Sequence, residues 1–394
     1  MDAADITKPK VSPLYNPKVR SIAYQVALSA LIGFLVYGAI SNAVENLARA
    51  KIASGFGFWD NTAQFDISQK LIEYTITSTY GRAFWVGLLN TLLVAGLGIV
   101  FATILGFTIG IARLSHNWLV ARLAGLYVEV IRNIPLLLQL LFWYNAVLQV
   151  LPERLQDSVA IPGGGFLNRR GLFMPQPVFG ESASTALAAL ALAIVGAIIF
   201  RVWAKHRQEQ IGKRAPVLAV SIALVIGLPL IALALVGLPI NFIYPQMGRF
   251  NIQGGIEVLP EFMALLFGLV IYTAAFIAEV VRAGLLAVSR GQTEAAYSLG
   301  LQPRPTLRLI VIPQAMRVII PPLTSQYLNL TKNSTLAVAI GYPDLVQIFT
   351  GTVLNQTGQA VEVVVLTMAV YLTISLFTSL LMNLYNRRVA VMER

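Results

Sequence analysis

The sequence predicts an all-α integral membrane protein of about eight transmembrane helices, and three observations carry that prediction. Of its 394 residues, 57% are hydrophobic and only 12% are charged, against about 45–50% and about 25% in ordinary globular chains. The apolar residues are gathered into runs long enough to cross a bilayer, which takes about 20 residues per helix. Basic residues are shared unequally between the segments joining those runs, as in chains with a fixed membrane orientation.

Residues 1–20 are polar and basic, with Pro9, Pro13 and Pro17 discouraging helix. The apolar run that follows, about 22–43, is too long for the core of a signal peptide, and Ser41-Asn42-Ala43 is a poor cleavage context. It reads as a first transmembrane helix that is retained. Further spans are predicted at about 84–112, 123–151, 185–204, 216–243, 262–284, 318–341 and 362–386. Pro135 interrupts the third, and Pro321 and Pro322 interrupt the seventh.

With the N-terminus inside, the inner segments hold 17 Lys and Arg residues and the outer segments eight. The positive-inside rule then places both termini in the cytoplasm. The two longest outer segments, about 44–83 and 152–184, carry "GFGFWDNTAQFDIS" and "IPGGGFLNRRGLFMPQPVFG". Short interfacial helices, a lid over the outer mouth and plain connectors all suit them. No fixed-period repeat is visible.

Composition excludes several chemistries. There is no cysteine, so disulfides, thiolate metal sites and cysteine nucleophiles are absent. The two histidines, His116 and His206, sit beside basic residues in hydrophilic segments. No catalytic residue or metal site is expected. The net charge of +11 fits cytoplasmic lysine and arginine and implies no nucleic-acid partner. No Gly-x4-Gly-Lys-Ser/Thr phosphate loop occurs, so no nucleotide is expected to bind this chain.

The most informative stretch is 291–322, "GQTEAAYSLGLQPRPTLRLIVIPQAMRVIIPP". It predicts a short helix from about Thr293 to Leu299, with Thr293 at the N-cap and Glu294 at the positive end of the helix dipole. Gly300 follows in a position suited to left-handed backbone, and Pro303 prevents continuation. Ala295, Ala296 and Leu299 give the helix a small apolar face. A docking knob and a simple interfacial helix are both consistent with the pattern.

Glu294, Ala295, Ala296 and Gly300, then Ile310 and Pro313, resemble the EAA loop of ABC importer permeases: E-A-A, three residues, G, nine residues, I, one residue, L, P. Only the L position differs, being Ile312. "YTAAFIAEVVRAGLLAVSRGQTEAA" from Tyr272 and "YVEVIRNIPLLLQLLFWY" from Tyr127 are similar to blocks of polar-amino-acid permeases. "GLLNTLLVAG" from Gly87 and "LTKNSTLAVAIGYPDL" from Leu330 fit the same pattern. The resemblance covers about 84–151 and 262–390. Its elaborations, with "FGFWD" and "NRRGLF", look like the larger membrane subunit of general L-amino-acid uptake systems.

That resemblance implies a type I ABC importer permease, a five-helix core plus added spans, working by alternating access in the bacterial inner membrane. The domains implied are 1–83, with the tail, first helix and outer loop; 84–390, the permease domain with an insertion at about 152–261; and the coupling loop 291–322. The loop would insert into a separate ATPase, which holds ATP and Mg. The implied partners are two copies of that ATPase, a second permease subunit forming a heterodimer, and a periplasmic amino-acid-binding protein delivering L-amino acids.

Charged and amide residues inside spans are rare unless they pair or line a cavity. The pathway candidates are Arg132, Gln139, Glu279, Arg282, Lys332 and Asn333. An amino-acid zwitterion needs a cation for its carboxylate and an anion or carbonyls for its ammonium. Glu279 and Arg282 share a helix face and equally suit a structural ion pair orienting the coupling loop. Glu129 and Arg132 have the same spacing and suit a structural or gating role. Gln139 points to the cavity or to the second subunit; Lys332 and Asn333 line a cavity or bond between helices. The competing function is an ion-gradient-driven secondary transporter using Glu129 or Glu279 for coupling. It leaves the EAA loop unexplained and lacks visible inverted repeats.

Overall fold

The structure is a computed structural model that describes residues 17–49, 54–180, 183–212, 215–236, 240–248 and 251–389. The tail 1–16 and the basic residues Lys51, Lys213, Arg214, Arg249 and Arg394 of the charge count lie outside the described residues. The chain begins with α1 (Pro17–Arg49), α2 (Tyr80–Ala112), α3 (Trp118–Asn133) and α4 (Leu136–Val150). Strands β1 (Val159–Ile161), β2 (Gly165–Asn168), β3 (Gly171–Met174) and β4 (Gln176–Phe179) lead into α5 (Ala183–Ile211) and α6 (Val217–Val236). After them come β5 (Ile240–Ile243), β6 (Gln246–Met247), β7 (Ile252–Gln253) and β8 (Ile256–Val258). The chain ends with α7 (Pro260–Leu286), α8 (Arg290–Ser298), α9 (Pro303–Thr306), α10 (Ile312–Asn333), α11 (Leu354–Thr357) and α12 (Ala360–Val389).

Among the described residues, six helices are long and apolar enough to cross a membrane: Val19–Asn42, Tyr80–Ala112, Ala188–Ile211, Pro260–Leu286, Pro303–Ile340 and Ala360–Asn386. α3 and α4 together make a seventh, bent by 104°. The bend falls at Pro135, whose ring disfavours helical backbone at Ile134; Ile134 is extended, with φ −99° and ψ 127°. The remaining predicted span, about 216–243, holds the shorter apolar helix Val217–Ala232. Its last expected residues are strand β5 instead. Pro321 and Pro322 do not break the seventh span: α10 runs through both. The Thr324 hydroxyl donates to the Ile320 carbonyl at 3.1 Å, one turn back along the same helix.

The chain divides into two compact units, Met1–Asn90 with Pro343–Leu376, and Thr91–Tyr342 with Phe377–Arg394. In the first, the segment after α1 forms no interfacial helix among its described residues. It is a turn-rich loop whose aromatics are buried, and burial of such rings supplies the order that regular hydrogen bonding does not. Phe58, Tyr74, Tyr80 and Phe84 pack with Leu345, Phe349 and Val363, and the Phe84 and Phe349 rings meet edge to face at 5.4 Å. The Asn90 amide donates to the carbonyls of Gln69 and Pro343 at 2.8 and 2.9 Å.

In the second unit α7 is the axis, with buried residues along its whole length. Gly106 and Gly110, one turn apart on α2, bring it close to α7. A Cβ at Gly106 would stand 2.6 Å from Ile277, and one at Gly110 2.8 Å from the Ala278 carbonyl oxygen. Small residues at this spacing let membrane helices approach closely. Gly284 plays the same part against Ile319 of α10, where a Cβ would meet the side chain at 2.3 Å.

In the segment 152–184, for which interfacial helices, a lid and plain connectors all suit the sequence, residues 159–179 are β-structure beyond a 3-10 turn at Leu155–Asp157. Strands β1, β2, β3 and β8 form an antiparallel sheet in that order, with Leu172 opposite Val258. Strands β4 and β5 pair separately, as do β6 and β7. The insertion is therefore a β-structure closed by its two ends, and α5 and α6 pack on each other as a hairpin leaving its middle. Gly163 and Gly164, with φ of +97° and +84°, make the turn between β1 and β2, a conformation that L side chains disfavour.

Candidate functional site

Glu279 and Arg282 lie one turn apart on α7, and their side chains form an ion pair at 2.5 Å. Two further arginines converge on the same carboxylate. Arg113, just past the end of α2, donates a short hydrogen bond to it, and Arg132, in the last turn of α3, is 3.9 Å away. The Arg132 guanidinium also lies over the Phe276 ring, 5.0 Å from its centre, a favourable cation–π placement. One carboxylate thus ties together α2, α3 and α7. With three guanidinium groups around one carboxylate, this half-buried cluster carries more positive charge than it neutralises, and the buried Arg282 Nε has no hydrogen-bond partner among the described residues.

Glu129 and Arg132, three residues apart on α3, are not paired with each other among the ion pairs of the described residues. Arg132 turns to Glu279, while Glu129 lines a neighbouring groove of about 360 Å³ with Arg113, Arg122 and Arg282. The Phe276 ring, over which the Arg132 guanidinium lies, favours that direction.

The other pathway candidates are not brought to this cluster. Gln139 is 5% exposed, and its amide donates to the carbonyls of Ile131 and Ile134, each at 2.9 Å. It staples the start of α4 to the end of α3, satisfying carbonyls that the break leaves without helical donors. Lys332 is exposed and Asn333 half-buried where α10 ends and a 3-10 turn, Ser334–Ile340, begins.

The segment after α7 forms α8, which starts three residues earlier than the sequence predicts, with Ser289 rather than Thr293 at the N-cap. Nothing in Thr293 opposes helix once the preceding residues are helical. Gly300 has φ +78°, as expected of a residue that stops a helix in left-handed backbone. Ala296 is buried, whereas Glu294, Ala295 and Gly300 are exposed and Leu299 is 82% exposed. The expected apolar face is therefore divided. Ile310 lies in a π-helical turn, Leu307–Val311, and Pro313 in the first turn of α10. A proline at that position lacks the N–H that would continue the α-pattern backwards.

A family profile described as the binding-protein-dependent transport system inner membrane component matches residues 212–391. The chain is 52% identical to the general L-amino acid transport system permease protein AapQ of Rhizobium johnstonii, over 97% of this chain and 95% of that one. The chain belongs to this permease family. It is equally similar, at 52%, to the putative amino-acid ABC transporter permease protein YhdX of Escherichia coli, over 96% of each chain. The glutamate/glutamine/aspartate/asparagine transport system permease protein BztB of Rhodobacter capsulatus is 43% identical over 97% of this chain and 96% of its own.

The permease is thus an inner-membrane transport component of a system that also contains an ATPase and a binding protein. Two of its polar features are hard to read from the sequence. Arg113 contributes there only a basic charge, and its position one residue past a long apolar run is the available signal. Nothing local marks Asp344. Its carboxylate accepts the Gln347 backbone N–H at 2.8 Å and the Tyr371 hydroxyl at 3.2 Å. Burial pushes this carboxyl up to about 7 against those hydrogen bonds.

Proposed function

We propose that this chain is the larger permease subunit of an ATP-driven importer that moves L-amino acids inward by alternating access. The observation that carries the reading is 52% identity to a general L-amino acid permease along nearly the whole chain. Both termini then lie in the cytoplasm, as the basic residues indicate. A heterodimer with a second permease, two ATPase copies and a periplasmic amino-acid-binding protein complete the system. ATP and Mg belong to the ATPase, and this chain holds no cofactor.

In this reading α8 is the contact with the ATPase. Its exposed Glu294 and Ala295, the sharp turn at Gly300 and the projecting Leu299 offer a knob, while buried Ala296 fixes it to the rest of the loop. Ile310 and Pro313 begin the rigid connection into α10. Closure of the ATPase would move α8, and α7 with its Glu279 clamp would carry that movement to α2 and α3. Arg132, Glu279 and Arg282 therefore serve the conformational change. Lys332 and Asn333 remain the candidates for contact with substrate, and Gln139 keeps the broken helix in register.

A gradient-driven transporter needs a carboxylate that exchanges protons or ions during the cycle. Glu279 is instead held by three guanidinium groups, which favours the ATP-driven reading. The test is reconstitution with the ATPase, second permease and binding protein in liposomes. Uptake of labelled L-amino acids should require ATP and the binding protein. Uptake that continues without ATP and collapses with the ion gradient would overturn the proposal.

A further inference from the structure

The α5–α6 hairpin contains a charge that the transport reading does not use. Arg201 follows directly on the apolar run from Val195 to Phe200, inside the candidate span Ala188–Ile211. It is exposed, and its guanidinium has no hydrogen-bond or ion-pair partner among the described residues. A free arginine on a lipid-facing helix is costly and requires an anionic partner or water.

Arg201 opens onto a cleft of about 680 Å³ between the end of α5 and the start of α6. Lys205, one turn along α5, lines the same cleft with Gln208, and Ser221 of α6 adds a hydroxyl. Among the described residues no acidic side chain lines it. Lys205 is 3.9 Å from Glu209, with both side chains exposed, a contact worth little. The remaining wall is apolar, including Val202, Val217 and Leu218, the last 76% exposed. Just beside the cleft the Arg207 guanidinium stacks over Trp203 at 5.0 Å, and tryptophan marks the depth of lipid headgroups.

We propose that this cleft binds the headgroup of an anionic phospholipid. Its phosphate is held by Arg201 and Lys205, Ser221 and Gln208 supply neutral hydrogen bonds, and the acyl chains lie along the apolar faces of α5 and α6. Basic pockets between transmembrane helices at the cytoplasmic face are suited to such headgroups. With α6 and α7 crossing in succession, as the eight-span reading has them, the start of α6 faces the same side as the end of α7. The cleft is therefore in the leaflet nearest α8. The apolar wall favours a lipid over free phosphate, which would leave that wall in water.

The test is native mass spectrometry of the full-length chain in the assembled transporter, titrated separately with phosphatidylglycerol, phosphatidylethanolamine and inorganic phosphate. Phosphatidylglycerol should bind more tightly than phosphatidylethanolamine. Arg201→Gln with Lys205→Gln should weaken it roughly 10- to 30-fold, the loss expected for two basic groups near an anionic surface. Arg154→Gln with Arg317→Gln, which removes the same net charge at exposed residues that do not line the cleft, should leave binding within about twofold. Ser221→Trp, which fills the cleft with its charges intact, should also displace the lipid and serves if the double variant does not fold. Equal loss in both charge variants, full binding by Ser221→Trp, or saturation by inorganic phosphate alone would overturn the site.

Discussion

Arg113, at the end of α2, is ion-paired with Glu279, 166 residues further along the chain in α7. Arg132 and Arg282 approach the same carboxylate, so its removal leaves three guanidinium groups facing one another. Glu279→Gln is expected to cost about 2–4 kcal/mol, towards the lower end because the cluster is half-exposed. Arg113→Gln should cost less, since two cations remain to neutralise Glu279. Thermal unfolding of the two single variants and the double variant forms a cycle that measures the coupling. Additive effects would show that the pair is not a clamp.

Gln139 holds the break between α3 and α4 through two backbone carbonyls. Gln139→Leu keeps the volume but leaves both without their donor, at about 1–3 kcal/mol. Faster amide hydrogen exchange over residues 131–140, with the rest of unit two unaffected, is the expected signature. If transport changes but exchange does not, Gln139 faces the substrate instead.

Gly300 turns the chain after α8 with φ +78°, and a Cβ there would meet nothing within 4 Å. The constraint is therefore backbone strain, about 1–2 kcal/mol for an ordinary L residue. Gly300→Leu should assemble poorly with the ATPase or lose binding-protein-stimulated ATP hydrolysis. Gly300→Asn, which tolerates left-handed backbone better, should retain most of both. Unchanged stimulated hydrolysis in Gly300→Leu would remove α8 as the coupling contact.

Asp344 gives the first unit a pH dependence. Burial raises its carboxyl from 3.8 to about 7, so the folded unit binds a proton more tightly than the unfolded chain. Stability from this group is complete below about pH 4 and is lost as pH rises through about 7. The wild type should lose melting temperature relative to Asp344→Asn between about pH 5 and 8, because asparagine does not titrate. A constant difference across that range would mean that Asp344 stays ionised when folded.

Much of the fold was legible because membrane helices announce themselves in composition. Every predicted span contains helix, and a glycine just past a helix end with Pro303 beyond it is enough to predict left-handed backbone at Gly300. The β-structure at 159–179 and 240–258 was not legible: its strands have two to four residues, too short for alternation to register. Their pairing also joins ends separated by a helical hairpin. Within the candidate site, Glu279 and Arg282 were readable as neighbours because three residues is a local distance on a helix. Arg113 was not, since nothing local connects it to α7.

The sequence by itself determined that the chain spans a membrane, where most of its spanning helices lie, and which family it joins. Those properties depend on apolar run length, basic-residue counts and short-range spacing, all of which are written along one dimension. Only the tertiary structure decided that Arg113 and Arg132 converge on Glu279 while Gln139 serves a helix break. Glycines at 106 and 110 let α2 approach α7, and that approach sets which charges come within ion-pair reach. Coulomb attraction falls with distance through space, and distance along the chain does not enter it.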